Sequence, residues 1–257
     1  MPTWNAGQYL RFAGERTRPC RDLAAAVALE APRRIVDLGC GPGNSAAVLA
    51  ARWPEAEIEG VDSSEAMITA ARRDAPARSW IVGDISAWTG APPCDLVFSN
   101  AALQWVPDHE IVYPHLFAQV APGGALAAQV PCNLDAPAHA AMRALAARAD
   151  WRGHFPREGV REWHVHPAAF YYDLLSPLAA RLDLWETEYL HVLSGPAAIV
   201  EWYRGTGLRP FLDALPDEPA RQRFLDDYLQ AVTAAYPAQR DGRVLLPFRR
   251  LFLIAYR

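Results

Sequence analysis

The sequence predicts an α/β protein built on a mostly parallel sheet with helices on both faces. Three observations carry that prediction. Short apolar runs alternate with helical patterns from Arg34 to Val130, and such alternation requires crossover connections between neighbouring strands. The first run, Arg34-Ile35-Val36-Asp37-Leu38, leads directly into Gly39-Cys40-Gly41-Pro42-Gly43 and then an Ala-rich helical stretch, the order strand, tight turn, helix. The chain closes on a compact apolar strand at Arg250–Tyr256.

Two helical segments come first, Asn5–Phe12 and Pro19–Glu30. The alternation then runs through a strand at Arg34–Leu38, a helix to about Arg52, a strand at Glu57–Val61, a helix at Ser64–Asp74 and strands at Ser79–Val82 and Asp95–Ser99. A helix at Asp108–Val120 and a strand at Ala125–Val130 complete it. Beyond Pro131, the stretch Pro137–Trp163 reads as helix followed by irregular polar chain, broken by Trp151, Gly153, Pro156 and Gly159. Phe170–Leu175 is helical, Leu182–Leu193 is a long strand, and Ala220–Ala235 carries a strong helical pattern. No internal repeat or low-complexity linker divides the chain.

Composition narrows the function. The 257 residues are 51% hydrophobic and 21% charged with a formal net charge of −4, which disfavours nucleic-acid partners because phosphate binding rests on a Lys/Arg excess. Cys20, Cys40, Cys94 and Cys132 lack the spacing of a zinc knuckle or a redox dithiol. They read as packing thiols, and no metal is expected. The opening Met1-Pro2-Thr3-Trp4-Asn5 has no basic stretch followed by an apolar one, and no apolar run approaches the roughly 18 residues of a membrane span. A cytoplasmic protein without a membrane partner is expected; oligomeric state is not indicated.

The glycine turn is the most informative stretch. At the end of a first strand, glycine permits positive φ and close approach of a ligand, and the following helix N-terminus offers unpaired N–H groups. A dinucleotide fingerprint requires Gly-x-Gly-x-x-Gly, yet counting from Gly39 places Asn44 at the third glycine. The spacing here is Gly-x-Gly-x-Gly preceded by Asp37. That turn suits the amino acid end of S-adenosylmethionine, a zwitterion without pyrophosphate, with Asp37 near its ammonium group and Gly39, Cys40, Gly41 and Gly43 against its chain. Asp62, with Ser63 beside it, ends the second strand, where a carboxylate can accept both ribose hydroxyls. Its structural alternative is a helix N-cap, a role that Ser63 or Ser64 already fills. Asp84 follows the third strand, placed for the adenine amino group with Ile85 beside the ring; the alternative is an exposed loop acid. Asn100 ends the fourth strand, beside the transferring methyl. A nucleobase amino methyltransferase usually carries Asn/Asp-Pro-Pro-aromatic here, whereas this chain has Asn100-Ala101-Ala102-Leu103-Gln104-Trp105.

Motifs along nearly the whole chain narrow the reading further: Trp4 with Tyr9-Leu10-Arg11-Phe12, Glu15-Arg16-Thr17-Arg18-Pro19, Val36 to Ser45, Ser99 to Val106, Trp185-Glu186-Thr187-Glu188-Tyr189, Thr206-Gly207-Leu208-Arg209-Pro210, and Leu246-Pro247-Phe248-Arg249-Arg250-Leu251-Phe252. In these the chain resembles the trans-aconitate 2-methyltransferase family of class I S-adenosylmethionine-dependent methyltransferases. Departures are mild, such as Cys20 and Ala46 where the family is expected to show Ala and Thr. The resemblance implies a Rossmann-like seven-stranded sheet, mostly parallel with an antiparallel last strand, plus a helical lid insertion. It implies a methyltransferase core over residues 1–193, a lid over 194–246 and a last core strand over 247–257. It also implies monomethyl esterification of trans-aconitate, a planar tricarboxylate, with S-adenosyl-L-homocysteine as the other product.

A tricarboxylate calls for fixed cations, and the arginine fork binds carboxylates with two charge-assisted hydrogen bonds. Arg209 and Arg249, then Arg250 and Arg204, are the expected acceptor ligands, with the alternative that lid arginines pair with Asp213, Asp217 or Glu218. Tyr9, Arg11 and Arg18 form a second set on an N-terminal segment expected to close over the cofactor, Tyr9 toward the cofactor and Arg11 toward the acceptor. Gln104, Trp105 and Gln129 lie near strand ends, and His191 is placed to hydrogen-bond a substrate oxygen. No catalytic base is expected, neither His109 nor His191, because a carboxylate is already ionised near neutral pH. Two rivals remain open: esterification of another small acid or of a carrier-bound malonyl group, and, from a different class, a non-catalytic S-adenosylmethionine-binding module.

Overall fold

A computed structural model describes residues 13–156 and 163–257. The expected helix Asn5–Phe12, with Tyr9 and Arg11, lies outside the described residues. The first described helix, α1 (Ala13–Ala26), runs through Pro19 and stops short of Glu30. Pro32 biases the residue before it toward extended backbone, and the chain is extended by β1 (Arg34–Leu38).

The alternation then proceeds as α2 (Asn44–Arg52), β2 (Glu57–Asp62), α3 (Glu65–Asp74), β3 (Ser79–Val82), β4 (Cys94–Asn100), α4 (His109–Ala118) and β5 (Val120–Pro131). Past it come α5 (Pro137–Ala147), α6 (Ala168–Leu175), β6 (Arg181–Leu193), α7 (Pro196–Arg204), α8 (Arg209–Ala214), α9 (Glu218–Ala235) and β7 (Val244–Tyr256). The strands form one seven-stranded sheet in the order β3-β2-β1-β4-β5-β7-β6. Adjacent strands from β3 to β5 pair in parallel, and β7 runs antiparallel to β5. The order reverses between β1 and β4, and in such sheets ligands bind outside the carboxyl ends of the strands at that point.

β7 is longer than the apolar run at its end predicts. Pro247 hides the start of the strand in sequence, yet burial alternates from Val244 through Leu246, Phe248 and Arg250 across that proline. Helices α7 and α8, which the sequence does not announce, each carry a proline in the first turn, where the missing N–H costs nothing.

The chain divides into two compact units. Among the described residues the first comprises 13–132, 164–187 and 250–257, and holds β1 to β5 with α1 to α4 and α6. Its core joins Val36, Leu38, Val97, Leu126 and Leu253 to Tyr113 and Leu116 of α4. The second comprises 133–156, 163 and 188–249, so it takes in α5 as well as the stretch 194–246 that the sequence divides off as a lid. Within it the Tyr236 hydroxyl accepts from the Ala138 amide at 3.1 Å, and Trp151 Nε1 donates to Asp227 at 2.9 Å. No helix among the described residues is long and apolar enough to cross a membrane.

Candidate active site

The glycine turn after β1 is held by the end of β2. Gly39 and Cys40 both donate their amides to the Val61 carbonyl, at 2.7 and 3.1 Å. Gly39, Gly41 and Gly43 all sit at positive φ (75°, 54° and 95°), the region that favours glycine. The third glycine has a further cause, Trp80 of β3: a Cβ on Gly43 would meet the indole at 2.9 Å, and one on Gly60 would overlap it. The ring, 6% exposed and anchored by Nε1 to the Ala75 carbonyl at 2.8 Å, thus covers the turn from β3.

Asp62 has a role that spacing alone does not reveal. Its Oδ2 accepts from the Gly41 amide at 2.9 Å and its Oδ1 from the Ser64 amide at 2.8 Å, so one carboxylate ties the glycine turn to the start of α3. Burial raises its pKa, opposed by those two amides. Ser64 is the N-cap of α3, accepting from Met67, which leaves remaining lone pairs of Asp62 for a ligand. Ser63 beside it is exposed.

Asp37 is fully buried and accepts from Ser45 Oγ at 2.5 Å through Oδ2, while Oδ1 is buried without a hydrogen-bond partner. Burial pushes its carboxyl up to about 7, with the Ser45 hydroxyl opposing and Asp62 adding to the rise. An acid whose pKa rises on folding stabilises the fold while protonated. That contribution is complete below its ordinary value of 3.8 and is lost as pH climbs to about 7. Asp37→Asn is therefore expected to resist urea better than the parent at pH 8 without cofactor, and to match it more nearly at pH 5. The same variant is expected to bind a cofactor carrying an ammonium group about tenfold more weakly, through loss of a charged hydrogen bond. Urea midpoints at the two pH values and a calorimetric titration check both signs.

A cavity opens at this turn, lined by Thr17 and Cys20 of α1, by Gly39 to Pro42, by Asn44 and Ser45, and by Asn100. The Asn100 Oδ1 is also buried without a partner. An unsatisfied acceptor at the wall, Asn100, and the buried carboxylate of Asp37 bonded to Ser45 of the lining fit an ammonium-bearing ligand. Asp84 lies at the far side of β2, exposed, where its Oδ1 accepts from the Ser86 amide and hydroxyl at 2.9 and 2.8 Å. It caps the short 3-10 turn containing Ile85, which is 8% exposed; its other oxygen is the one available to an adenine.

Beyond Asn100 the backbone is strained: Ala101 has φ of 55°, a conformation that costs a non-glycine residue about 1–3 kcal/mol. Its amide donates to the Gln129 carbonyl at 2.8 Å and its carbonyl accepts from Gln104 Nε2 at 2.7 Å. Gln104, 4% exposed, keeps Oε1 buried without a partner. His109 holds the same loop: one ring nitrogen meets the Leu103 carbonyl at 2.9 Å and the other the Tyr171 hydroxyl at 2.8 Å. It is a buried structural histidine whose pKa burial lowers.

Register decides what reaches this edge from β7. Pro131 of β5 pairs with Arg250, and Gln129 with Phe252 on one side and Asn100 on the other. Since side chains alternate, Asp37, Asn100, Gln129 and Arg250 share one sheet face. Arg250 is 4% exposed and donates from Nη1 to Gln129 Oε1 at 3.2 Å. The adjacent Arg249 faces the other way, 42% exposed and paired with Asp135 at 3.1 Å.

The remaining expected acceptor residues lie in the second unit. Arg204 pairs with Glu201 and Arg209 with Asp213, each at 3.4 Å across one helical turn, so the acid foreseen as a rival partner of Arg209 is in place. His191 is 5% exposed within an aromatic cluster of Tyr189, Trp202 and Phe248.

The sheet order, the acid and glycine turn and the carboxylate at the end of β2 together define a Rossmann-like methyltransferase. Residues 35–124 match the family described as a methyltransferase domain. Over nearly its whole length the chain is 49% identical to the trans-aconitate 2-methyltransferase of Methylobacterium radiotolerans, covering 99% of this chain and 98% of that protein. It is 49% identical to that of Azoarcus sp., covering 100% of each, and 48% identical to that of Paracidovorax citrulli, covering 100% and 99%. The chain belongs to the trans-aconitate 2-methyltransferase family. Its fold is similar to that of the YcgJ protein of Bacillus subtilis (TM-score 0.60, 13% identity, 93% of this chain and 98% of that one). It is also similar to an S-adenosyl-L-homocysteine complex of a methyltransferase from Geobacter sulfurreducens (TM-score 0.54, 18% identity, 93% and 91%).

Proposed function

We propose that this chain uses S-adenosylmethionine to form the monomethyl ester of trans-aconitate, acting in the cytoplasm as a carboxyl O-methyltransferase. Family membership supports the acceptor. The single observation that carries its chemical class is Arg250, a guanidinium almost wholly removed from solvent at the carboxyl edge of the sheet. A guanidinium held in place there by Gln129 suits a carboxylate ligand.

The cofactor supplies an electrophilic methyl on a sulfonium sulfur; the carbon–sulfur bond breaks as a carboxylate oxygen bonds to that carbon. No proton needs to move, because the acceptor is already ionised. The task left to the chain is alignment and exclusion of water. Asp37 and Asn100 would hold the ammonium group, the glycine turn the chain of the cofactor, Asp62 its ribose, and Asp84 with Ile85 its adenine. Arg250 would turn one acceptor carboxylate toward the methyl.

Methyl-labelled cofactor offered with a panel of di- and tricarboxylic acids and a carrier-bound malonyl group tests the reading. Label is expected in an ester of trans-aconitate that mild alkali releases. Label on nitrogen or carbon, or preference for the carrier-bound group, overturns it.

A further inference from the structure

We propose that Gln129 is an acceptor-recognising residue, presenting its amide N–H to the same carboxylate that Arg250 binds. This deepens the carboxyl methyltransferase reading and rests on it. Gln129 is 1% exposed near the carboxyl end of β5. Its Oε1 accepts from Arg250 Nη1, and that contact fixes the amide orientation, since a flipped amide would set its NH2 against a guanidinium that only donates. Nε2 is then the outgoing group, and it is buried without a hydrogen-bond partner.

A buried donor without an acceptor is uncommon in folded proteins and calls for a reason. Three features point to an anionic oxygen as that reason. Gln129 Nε2 is a donor, which suits a carboxylate and leaves an amide NH2 or an alkyl group unanswered. Gln129 pairs in register with Asn100, the residue at the cavity wall. Across the shared sheet face the charges are ordered: the acid Asp37 on β1, the amides Asn100 and Gln129 on β4 and β5, the cation Arg250 on β7. A cationic molecule is favoured at one end of that row and an anionic one at the other, with Gln129 between.

The test compares the parent with three variants, reading the KM for trans-aconitate, kcat, and the Kd for S-adenosyl-L-homocysteine by calorimetry. Gln129→Leu, similar in volume, is expected to raise the acceptor KM about tenfold or more while Kd stays within twofold. Gln129→Glu places a carboxylate against Arg250 and is expected to lose at least a hundredfold in kcat/KM, more than the leucine variant. Gln129→Asn keeps the amide but withdraws it, and serves where leucine prevents folding; the same KM rise is expected. An unchanged KM in a folded variant, a Kd that rises in step with KM, or a glutamate variant as active as the parent overturns the assignment. A parent that methylates none of the acids overturns the carboxyl methyltransferase reading itself, and this inference with it.

Discussion

Asp62→Ala is expected to weaken binding of S-adenosyl-L-homocysteine by about a thousandfold and to lower methyl transfer at fixed cofactor concentration accordingly. Two losses combine. In the proposed complex the carboxylate accepts from the ribose hydroxyls, and hydrogen bonds to a charged group are worth about 1.5–3 kcal/mol each. In the free protein the same group braces the Gly41 and Ser64 amides, so its removal also releases the turn that receives the cofactor. Asp62→Asn is expected to be nearly as damaging, because both carboxylate oxygens accept from backbone N–H groups and an amide must turn its NH2 toward one of them. Calorimetry on both variants is the check; an asparagine variant within threefold of the parent would remove the bracing role, and an alanine variant that close would remove the ribose role as well.

Gly39→Ala is expected to destabilise the protein by about 3 kcal/mol, combining a left-handed backbone cost of about 1–2 kcal/mol with overpacking of about 1–3 kcal/mol. At φ of 75° the added methyl would fall on Ala102 Cβ and press on the Ile85 side chain. Ala102 cannot swing aside: it has no rotamer to change, and it follows Ala101, already in a strained conformation. By contrast a Cβ on Gly41 meets nothing within 4 Å, so Gly41→Ala should pay the backbone cost without the collision. Urea midpoints for the two variants distinguish these contributions, and equal midpoints would show that the contact with Ala102 is not felt.

Much of this site is legible in the chain alone, for a physical reason. A strand, a glycine turn and a helix are short-range events, set by side-chain periodicity and by which residues tolerate positive φ. Asp37, Gly39, Gly41, Gly43, Asp62 and Asn100 are found that way because each stands at a fixed offset from a strand end. Trp80 is not, because its packing over Gly43 and Gly60 joins residues from three separate segments of the chain. Ser45, the partner of Asp37, is the second residue of α2 and stands at a fixed offset from the same turn.

Residue spacing along the chain sets the order of elements from β1 to β5, the class of cofactor turn and the acids that flank it. Which way each side chain faces is set by the fold. Arg249 and Arg250 are neighbours of the same type, yet one is exposed against Asp135 and the other is buried against Gln129. The alternation of a strand sends consecutive residues to opposite faces, and which face is the interior depends on a register between β5 and β7, two strands more than a hundred residues apart in the chain.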